Sequence, residues 1–293
     1  MANYLSLKTD SMYVHINKYE KFTFDYWGWT VSDNYKYNAK SPRHSQYSIT
    51  ITSPSITNQE ELNNSSVRGK EIADIVTMLI PICGLSALNS PKFISFSNNH
   101  KLVDFKSAPN GWSTNYSDIK SMLNGEKSNK TILDVTAEGL FHFSILEQSP
   151  LFEIQYMLER YDNVDEHIKF LLFLYNSIET ANDINVYMLI GKALEIVYAN
   201  GANKELKWKK ERPIKNYIPE LSETLQDISF GNLFEWTNFR KESRHYVDNK
   251  KNYKPHGSMS TEERIKLYQC STSLIIYVIR QAFGLSRMPF GFI

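Results

Sequence analysis

The chain has 293 residues, of which 42% are hydrophobic and 22% are charged, and its 33 Lys and Arg residues against 32 Asp and Glu residues give a net charge of +1. This composition excludes an intrinsically disordered chain, a collagen-like repeat and an acidic tail protein. The length favours two domains. Because the charges balance, a site for nucleic acid would have to be a local basic patch.

The cysteine count and the apolar runs limit the class further. Cys83 and Cys270 are far apart and belong to no C-x-x-C pattern, which disfavours both a zinc site and a disulfide framework. Residues 1–18 lack the basic start and apolar stretch of a signal peptide, so we expect a cytoplasmic protein. The apolar runs 72–88 and 267–285 contain charged residues, and we predict buried helices there rather than membrane spans.

The first half of the chain, residues 1–149, mostly alternates apolar and polar residues with a period of two, which is typical of β-strands. Clear examples are the segments around Phe24 and around Ile49. One helix is expected to begin after Ser65-Ser66 and to end before Pro81, which cannot donate a backbone hydrogen bond. Further strands are predicted over 93–96, 102–105, 132–136 and 140–143. This half is predicted to be a β-rich sensor or specificity domain.

The period changes at Ser149-Pro150, where Pro150 can begin a helix without loss of a hydrogen bond. Helical spacing follows over 151–160, 164–178 and 184–197, and Asn200-Gly201 is predicted to end the third of these helices. Two more helices are predicted over 230–246 and 261–283. The predicted fold class is therefore α+β, with a β-rich domain over 1–149 and an all-α helical bundle over 150–293.

The most informative pair of residues is Arg240 and His245, in the penultimate predicted helix. An arginine can neutralise the charge that develops on a phosphate, and a histidine can exchange a proton near neutral pH, so together they could cleave RNA without a metal ion. On an ideal helix a spacing of five residues leaves the two side chains about 140° apart. They therefore meet only if the helix unwinds near His245 or a second subunit contributes. The alternative is a solvated helix end.

This pattern resembles the HEPN family (higher eukaryotes and prokaryotes nucleotide-binding domains), in which an arginine precedes a histidine by four to six residues late in a helical bundle. The resemblance covers about residues 150–285 and includes the Ala193-Leu194-Glu195 segment of an earlier helix. It implies a homodimer and, in many members, a metal-independent endoribonuclease of abortive-infection or toxin systems. Lys241 stands where many active members carry a polar residue, often asparagine, and some members are non-catalytic.

Basic residues near the pair could bind the RNA chain. The stretch 204–215 holds six basic residues against two acidic ones, and 240–254 has the same balance. Trp208 and Tyr217 could stack on unpaired bases. The alternative is that these are lysine-rich loops that keep the protein soluble. The predicted substrate-binding residues are Lys207, Lys209, Lys210, Arg212, Lys241 and Arg244.

Glu195 could orient the Arg–His pair or form a surface ion pair with Lys192. The sequence has no glycine-rich phosphate loop, no G-x-S-x-G and no H-E-x-x-H, which disfavours a kinase, a serine hydrolase and a zinc protease. We expect Arg240 and His245 to be catalytic without metal or cofactor, RNA as the substrate, and a neutralising or trigger protein as a possible partner. The alternative is a non-catalytic module that binds nucleic acid or protein.

Overall fold

The computed structural model describes residues 3–9, 12–85, 93–98, 101–104, 144–180, 183–203, 209–221, 225, 227–237 and 261–285. The chain forms two compact units, Met1–Glu159 and Arg160–Ile293. Strands dominate the described part of the first unit and helices that of the second, which confirms the α+β class. Of the helices described, none has both the length and the apolar character that crossing a membrane requires.

The described strands of the first unit form one sheet. Its central order is β3-β4-β5-β1-β6-β7, and β2 lies beside both β5 and β8. Neighbouring strands are antiparallel except for β2 and β8, which are parallel. The strands are β1 Asn3–Lys8, β2 Met12–Lys18, β3 Thr23–Tyr26, β4 Trp29–Lys36, β5 Gln46–Thr52, β6 Phe93–Asn98, β7 Lys101–Asp104 and β8 Ser144–Gln148.

The register along β5 shifts by one residue between β1 and β2. Lys8 pairs with Thr50, whereas Met12 pairs with Tyr47, so four residue steps on one side correspond to three on the other. Thr9 lies at this shift, where its N–H donates to the Ile49 carbonyl at 2.9 Å and its Oγ1 accepts from the Ile49 N–H at 2.8 Å. An extra residue of this kind bends a strand and changes the face of the residues that follow.

The turn between β3 and β4 consists of Trp27 and Gly28, both with positive φ values, 51° and 78°. Two-residue hairpins favour this geometry, but asparagine, aspartate and glycine are the usual occupants. The Trp27 ring is 41% exposed and stacks on Tyr26, with ring centroids 4.6 Å apart. The Arg68 guanidinium also lies 4.3 Å from its ring centroid. These contacts offset the backbone cost of tryptophan at this position.

The long helix of the first unit, α1, spans Gln59–Leu79. The predicted start after Ser65-Ser66 is wrong because Asn58 caps the helix, and its Oδ1 accepts from the Glu61 N–H at 2.9 Å. The Glu61 carboxylate accepts the N–H and hydroxyl of Thr57 at 2.7 and 2.9 Å, and these bonds lower its pKa. The predicted end is confirmed, since the helix stops two residues before Pro81.

A buried carboxylate joins several elements of the first unit. Asp33, in β4, is 2% exposed. Its Oδ1 accepts from the Tyr19 hydroxyl at 3.1 Å and from the Phe22 N–H at 2.8 Å, and its Oδ2 accepts from the hydroxyls of Tyr47 and Ser149. Ser149 directly precedes Pro150, after which helix α2, Leu151–Leu158, begins. This helix begins where the change of period predicted it, and it belongs to the first unit.

The second unit contains four further described helices. They are α3 Glu166–Thr180, α4 Asp183–Asn203, α5 Phe230–Thr237 and α6 Thr261–Ala282. Helix α4 continues past the predicted end at Asn200-Gly201, because a glycine inside a helix costs only about 1 kcal/mol and need not end it. A Cβ atom at Gly191 would lie 3.2 Å from the Thr237 Cβ, so the glycine permits close packing of α4 and α5.

The core of this unit is formed by the apolar faces that helical spacing predicted, with Leu171, Leu194, Leu233 and Ile275 fully buried. Of the two long apolar runs, 267–285 contributes buried residues of α6 to this core, and 72–88 contributes buried residues of α1 to the first unit, as expected. The predicted strands 132–136 and 140–143, and the part of the predicted penultimate helix after Thr237, lie outside the described residues.

Candidate nucleic-acid interface

The central predicted site residues lie outside the described residues. These are Arg240, Lys241, Arg244, His245 and Lys207, together with Trp208. Helix α5 is described as far as Thr237, three positions before Arg240 in the sequence. The predicted Arg–His pairing therefore stays a prediction, and the described site consists of the basic segment that precedes α5.

Three of the predicted substrate-binding residues are described and lie together in one turn. Lys209, Lys210 and Arg212 are all exposed, and the Arg212 N–H donates to the Lys209 carbonyl at 3.2 Å. None of these three side chains forms an ion pair with another residue that the structure describes. We call Lys209–Arg212 the basic turn. Its cations are available to meet an anionic ligand.

Lys215 follows the basic turn in the sequence but, unlike the three cations of the turn, has an acidic partner among the described residues. Its ammonium forms an ion pair with the Asp227 carboxylate at 2.7 Å. The hydrogen bond and the nearby charge of Lys215 lower the pKa of Asp227. This lysine is therefore partly neutralised by its own unit and is a poorer candidate for binding a phosphate than the three cations of the basic turn.

Backbone hydrogen bonds attach the basic turn to the start of α5. The Gly231 N–H donates to the Lys210 carbonyl at 2.9 Å, and the Ile214 N–H donates to the Ile228 carbonyl at 2.9 Å. A Cβ atom on Gly231 would lie 3.4 Å from that Lys210 oxygen and 3.3 Å from the Ser229 Oγ, so the close approach favours glycine. The turn is thus fixed to the first residues of the helix that precedes Arg240 in the sequence.

Ser229 and Asn232 cap the start of α5 reciprocally. The Asn232 Oδ1 accepts from the N–H and hydroxyl of Ser229 at 2.9 and 2.8 Å, and the Asn232 N–H donates to the Ser229 Oγ at 3.3 Å. This exchange satisfies backbone groups that a helix start leaves without partners. It also fixes the orientation of the Asn232 amide, whose nitrogen has no hydrogen-bond partner within the described part of the chain.

An open cavity of about 550 Å³ lies between the basic turn and α5. Its wall includes an aromatic ring, an amide, a lysine and two carboxylates. The Lys210 ammonium lies 5.6 Å from the centroid of the Phe234 ring. The residues that supply these groups are Phe234, Asn232, Lys210, Glu211 and Asp227. Of these residues, Lys210 is the one predicted from the sequence to bind the substrate, because Phe234 occurs in an apolar helical pattern that is typical of a core face.

Two other residues that were predicted to contribute to the RNA site make contacts with nearby residues of the chain. The Tyr217 hydroxyl accepts the Lys209 N–H at 2.9 Å, so this tyrosine helps to hold the basic turn. Glu195 forms an ion pair with Lys192 at 3.5 Å on the exposed surface of α4, with 65% and 58% of the two side chains accessible. This geometry is the surface ion pair that the sequence left open as an alternative for Glu195.

Within the described ranges, no group of three or more His, Cys, Asp and Glu side chains could hold a metal ion. Cys83 and Cys270 are both buried and form no disulfide, and burial raises the pKa of Cys270 to about 11. Comparison with protein-family models, with curated proteins and with solved structures gives no match to this chain.

Proposed function

We propose that this protein is a metal-independent endoribonuclease of a defence or toxin system, which acts as a homodimer. The observation that carries the proposal is the basic turn, whose three exposed cations are attached by backbone hydrogen bonds to the start of the helix that precedes Arg240 and His245 in sequence. Exposed lysine and arginine side chains on a fixed backbone suit the phosphates of an RNA strand.

In the proposed reaction, His245 acts as general base or general acid while the RNA 2′-oxygen attacks the adjacent phosphorus and the bond from phosphorus to the 5′-oxygen of the next nucleotide breaks. As the base, His245 accepts the 2′-hydroxyl proton and water protonates the leaving 5′-oxygen. As the acid, protonated His245 donates the proton to the 5′-oxygen and water accepts the proton of the 2′-hydroxyl. Arg240 stabilises the negative charge of the pentacoordinate phosphate. Arg244, Lys241 and the basic turn hold the strand. The products are a 2′,3′-cyclic phosphate and a 5′-hydroxyl, and the reaction uses neither a metal ion nor a cofactor.

The first unit then has the role of sensing a trigger or selecting the RNA, and a second protein neutralises or activates the enzyme. The second candidate function is a non-catalytic module that binds RNA or protein through the same helical unit. The specific observation in its favour is Lys241, which follows the arginine where many active members of the resembled family carry asparagine.

Incubation of the purified full-length protein with total RNA in EDTA tests the two functions. We expect cleavage by the wild type and its loss in Arg240→Ala and in His245→Ala. Arg68→Ala and His256→Ala are matched controls, because neither residue belongs to the proposed site, and both should cleave as the wild type does. Tight RNA binding without cleavage, unchanged by either site variant, would favour the non-catalytic module.

A further inference from the structure

The open cavity beside the basic turn is large enough to admit a nucleotide base, and its lining combines an aromatic ring with polar side chains. We propose that it is a guanine subsite, in which a base of the RNA strand lies against Phe234 while Lys209 and Arg212 hold the neighbouring phosphates. This inference rests on the proposed function, because it assigns the base preference of that same RNA-binding site.

The volume and the aromatic ring favour a base as the occupant. About 550 Å³ is within the range of small-molecule sites, which typically measure 300–1,000 Å³. Phe234 lines the cavity and is half-buried, and its edge-to-face contact with Tyr198, with ring centroids 5.7 Å apart, fixes the ring. Stacking on an aromatic side chain is a common way in which proteins bind single-stranded bases.

The charges of the lining favour a base over a phosphate inside the cavity. Within the described residues, the wall contains one cation, Lys210, whose ammonium lies 5.6 Å from the Phe234 ring centroid, and two carboxylates, those of Glu211 and Asp227. A phosphate inside would be repelled by both carboxylates, whereas an uncharged base would not. The other two cations of the basic turn, Lys209 and Arg212, are exposed next to Lys210 in the chain, where they can meet phosphates on either side of the bound base.

The wall contains the two types of polar group that the edge of guanine requires, an acceptor carboxylate and an amide donor. Guanine carries two adjacent N–H donors, which a single carboxylate can accept, and an O6 acceptor beside them. Glu211 supplies the carboxylate, because Asp227 is already paired with Lys215 at 2.7 Å. The Asn232 amide nitrogen supplies the donor for O6, since its Oδ1 is held by Ser229. Adenine, cytosine and uracil each lack the pair of adjacent donors.

The experiment is calorimetric titration of the full-length protein with 5′-GMP, 5′-AMP and ribose 5-phosphate. We expect GMP to bind at least tenfold more tightly than AMP, and ribose 5-phosphate to bind most weakly. Glu211→Gln removes the carboxylate at an exposed position, and Asn232→Asp keeps the Oδ1 cap while it removes the amide donor. Each variant should reduce the preference for GMP to less than threefold, whereas Glu220→Gln, an exposed control outside the cavity, should preserve it.

Equal affinity for GMP and AMP, or a GMP preference that survives both cavity variants, would overturn the subsite. This outcome is separate from the fate of the proposed function. Selective GMP binding by a protein that does not cleave RNA supports the subsite and contradicts the nuclease. If His245→Ala abolishes RNA cleavage while the wild-type protein binds GMP and AMP with equal affinity, the nuclease is supported and the subsite is contradicted.

Discussion

Asp33 and Ser149 are separated by 116 residues, yet the Ser149 hydroxyl donates a hydrogen bond to the buried Asp33 carboxylate. The Ser149 Oγ also accepts the Leu151 N–H at 3.2 Å, in the first turn of α2. One serine therefore connects strand β4 with the helix that follows the sheet. A buried carboxylate is tolerated only when hydrogen bonds replace its hydration, and Asp33 has four such donors.

Replacement of Ser149 by alanine should destabilise the first unit by about 1.5–3 kcal/mol, the usual range for a hydrogen bond to a charged group. Asp33→Asn should cost more, because all four hydrogen bonds would lose their charged acceptor and the amide nitrogen that replaces one oxygen cannot accept. Hydrogen exchange of the β4 and β5 amides under native conditions measures both effects in the unit concerned. Ser55→Ala, at an exposed serine, is the control and should change little. Equal protection in Ser149→Ala and the wild type would show that the bond to Asp33 contributes nothing.

The same cluster predicts a loss of stability at alkaline pH. Burial and the nearby Asp33 charge raise the pKa of Tyr47 well above its usual value of 10, and they raise that of Tyr19 to about 12. The unfolded chain therefore loses these protons first, so stability is full below pH 10 and falls as the pH rises from 10 towards 12. Urea unfolding between pH 8 and 11.5 should show this fall. The free energy of unfolding should fall less steeply with pH in Tyr47→Phe. An unchanged fall in this variant would contradict its attribution to Tyr47.

Gly69 permits α1 to lie against the sheet at Trp29. A Cβ atom at this position would lie 3.0 Å from the Trp29 Cζ2 and closer still to Cη2. Gly69→Ala should therefore lower the free energy of unfolding by about 1–2 kcal/mol, because overpacking exceeds the gain in helix propensity. Thermal unfolding measures the change. In a Trp29→Phe background the smaller ring should reduce or reverse the penalty, and an equal penalty in both backgrounds would exclude a clash with Trp29 as the cause.

Removal of the charges of the basic turn should weaken RNA binding and its salt dependence together. Each phosphate contact to a single strand contributes about 0.7 to the slope of log K against log salt, so the two contacts assigned to Lys209 and Arg212 contribute about 1.4. Fluorescence anisotropy with a 2′-O-methyl RNA, which cannot be cleaved through its 2′-oxygen, measures both quantities. The double variant Lys209→Gln and Arg212→Gln should lose about 1.4 from the slope. Lys215→Gln should lose much less, because Asp227 already neutralises that lysine; equal losses would contradict the role of the basic turn.

Much of the fold could be predicted from periodicity, and its exceptions have physical causes. Alternation identified the strand around Ile49, and helical spacing together with Pro150 identified the start of α2, because both patterns reflect burial on one face. The start of α1 was missed because a cap formed by Asn58 and Glu61 extends the helix over a polar stretch. The shift between β1 and β2 could not be predicted either, since it depends on pairing with Gln46–Thr52, remote in the sequence.

The candidate site was only partly predictable. Charge clustering identified Lys209, Lys210 and Arg212, because neighbouring basic residues can be recognised from the amino-acid sequence alone. The cavity was not predictable, since it depends on the hydrogen bond from Gly231 to Lys210 that joins the turn to α5. Asn232 gave no signal of a ligand role, because a helix-capping asparagine has the same sequence pattern whether or not its amide nitrogen faces a cavity.

The most direct test of the central claim is the chemistry of the ends that the wild-type protein leaves on a defined RNA in EDTA. We expect 2′,3′-cyclic phosphate and 5′-hydroxyl ends, and protection of any linkage whose 2′-hydroxyl is replaced by hydrogen. Ends that carry a 3′-hydroxyl and a 5′-phosphate, or cleavage at the 2′-deoxy linkage, would contradict it, because neither result can arise from attack by the RNA's own 2′-oxygen.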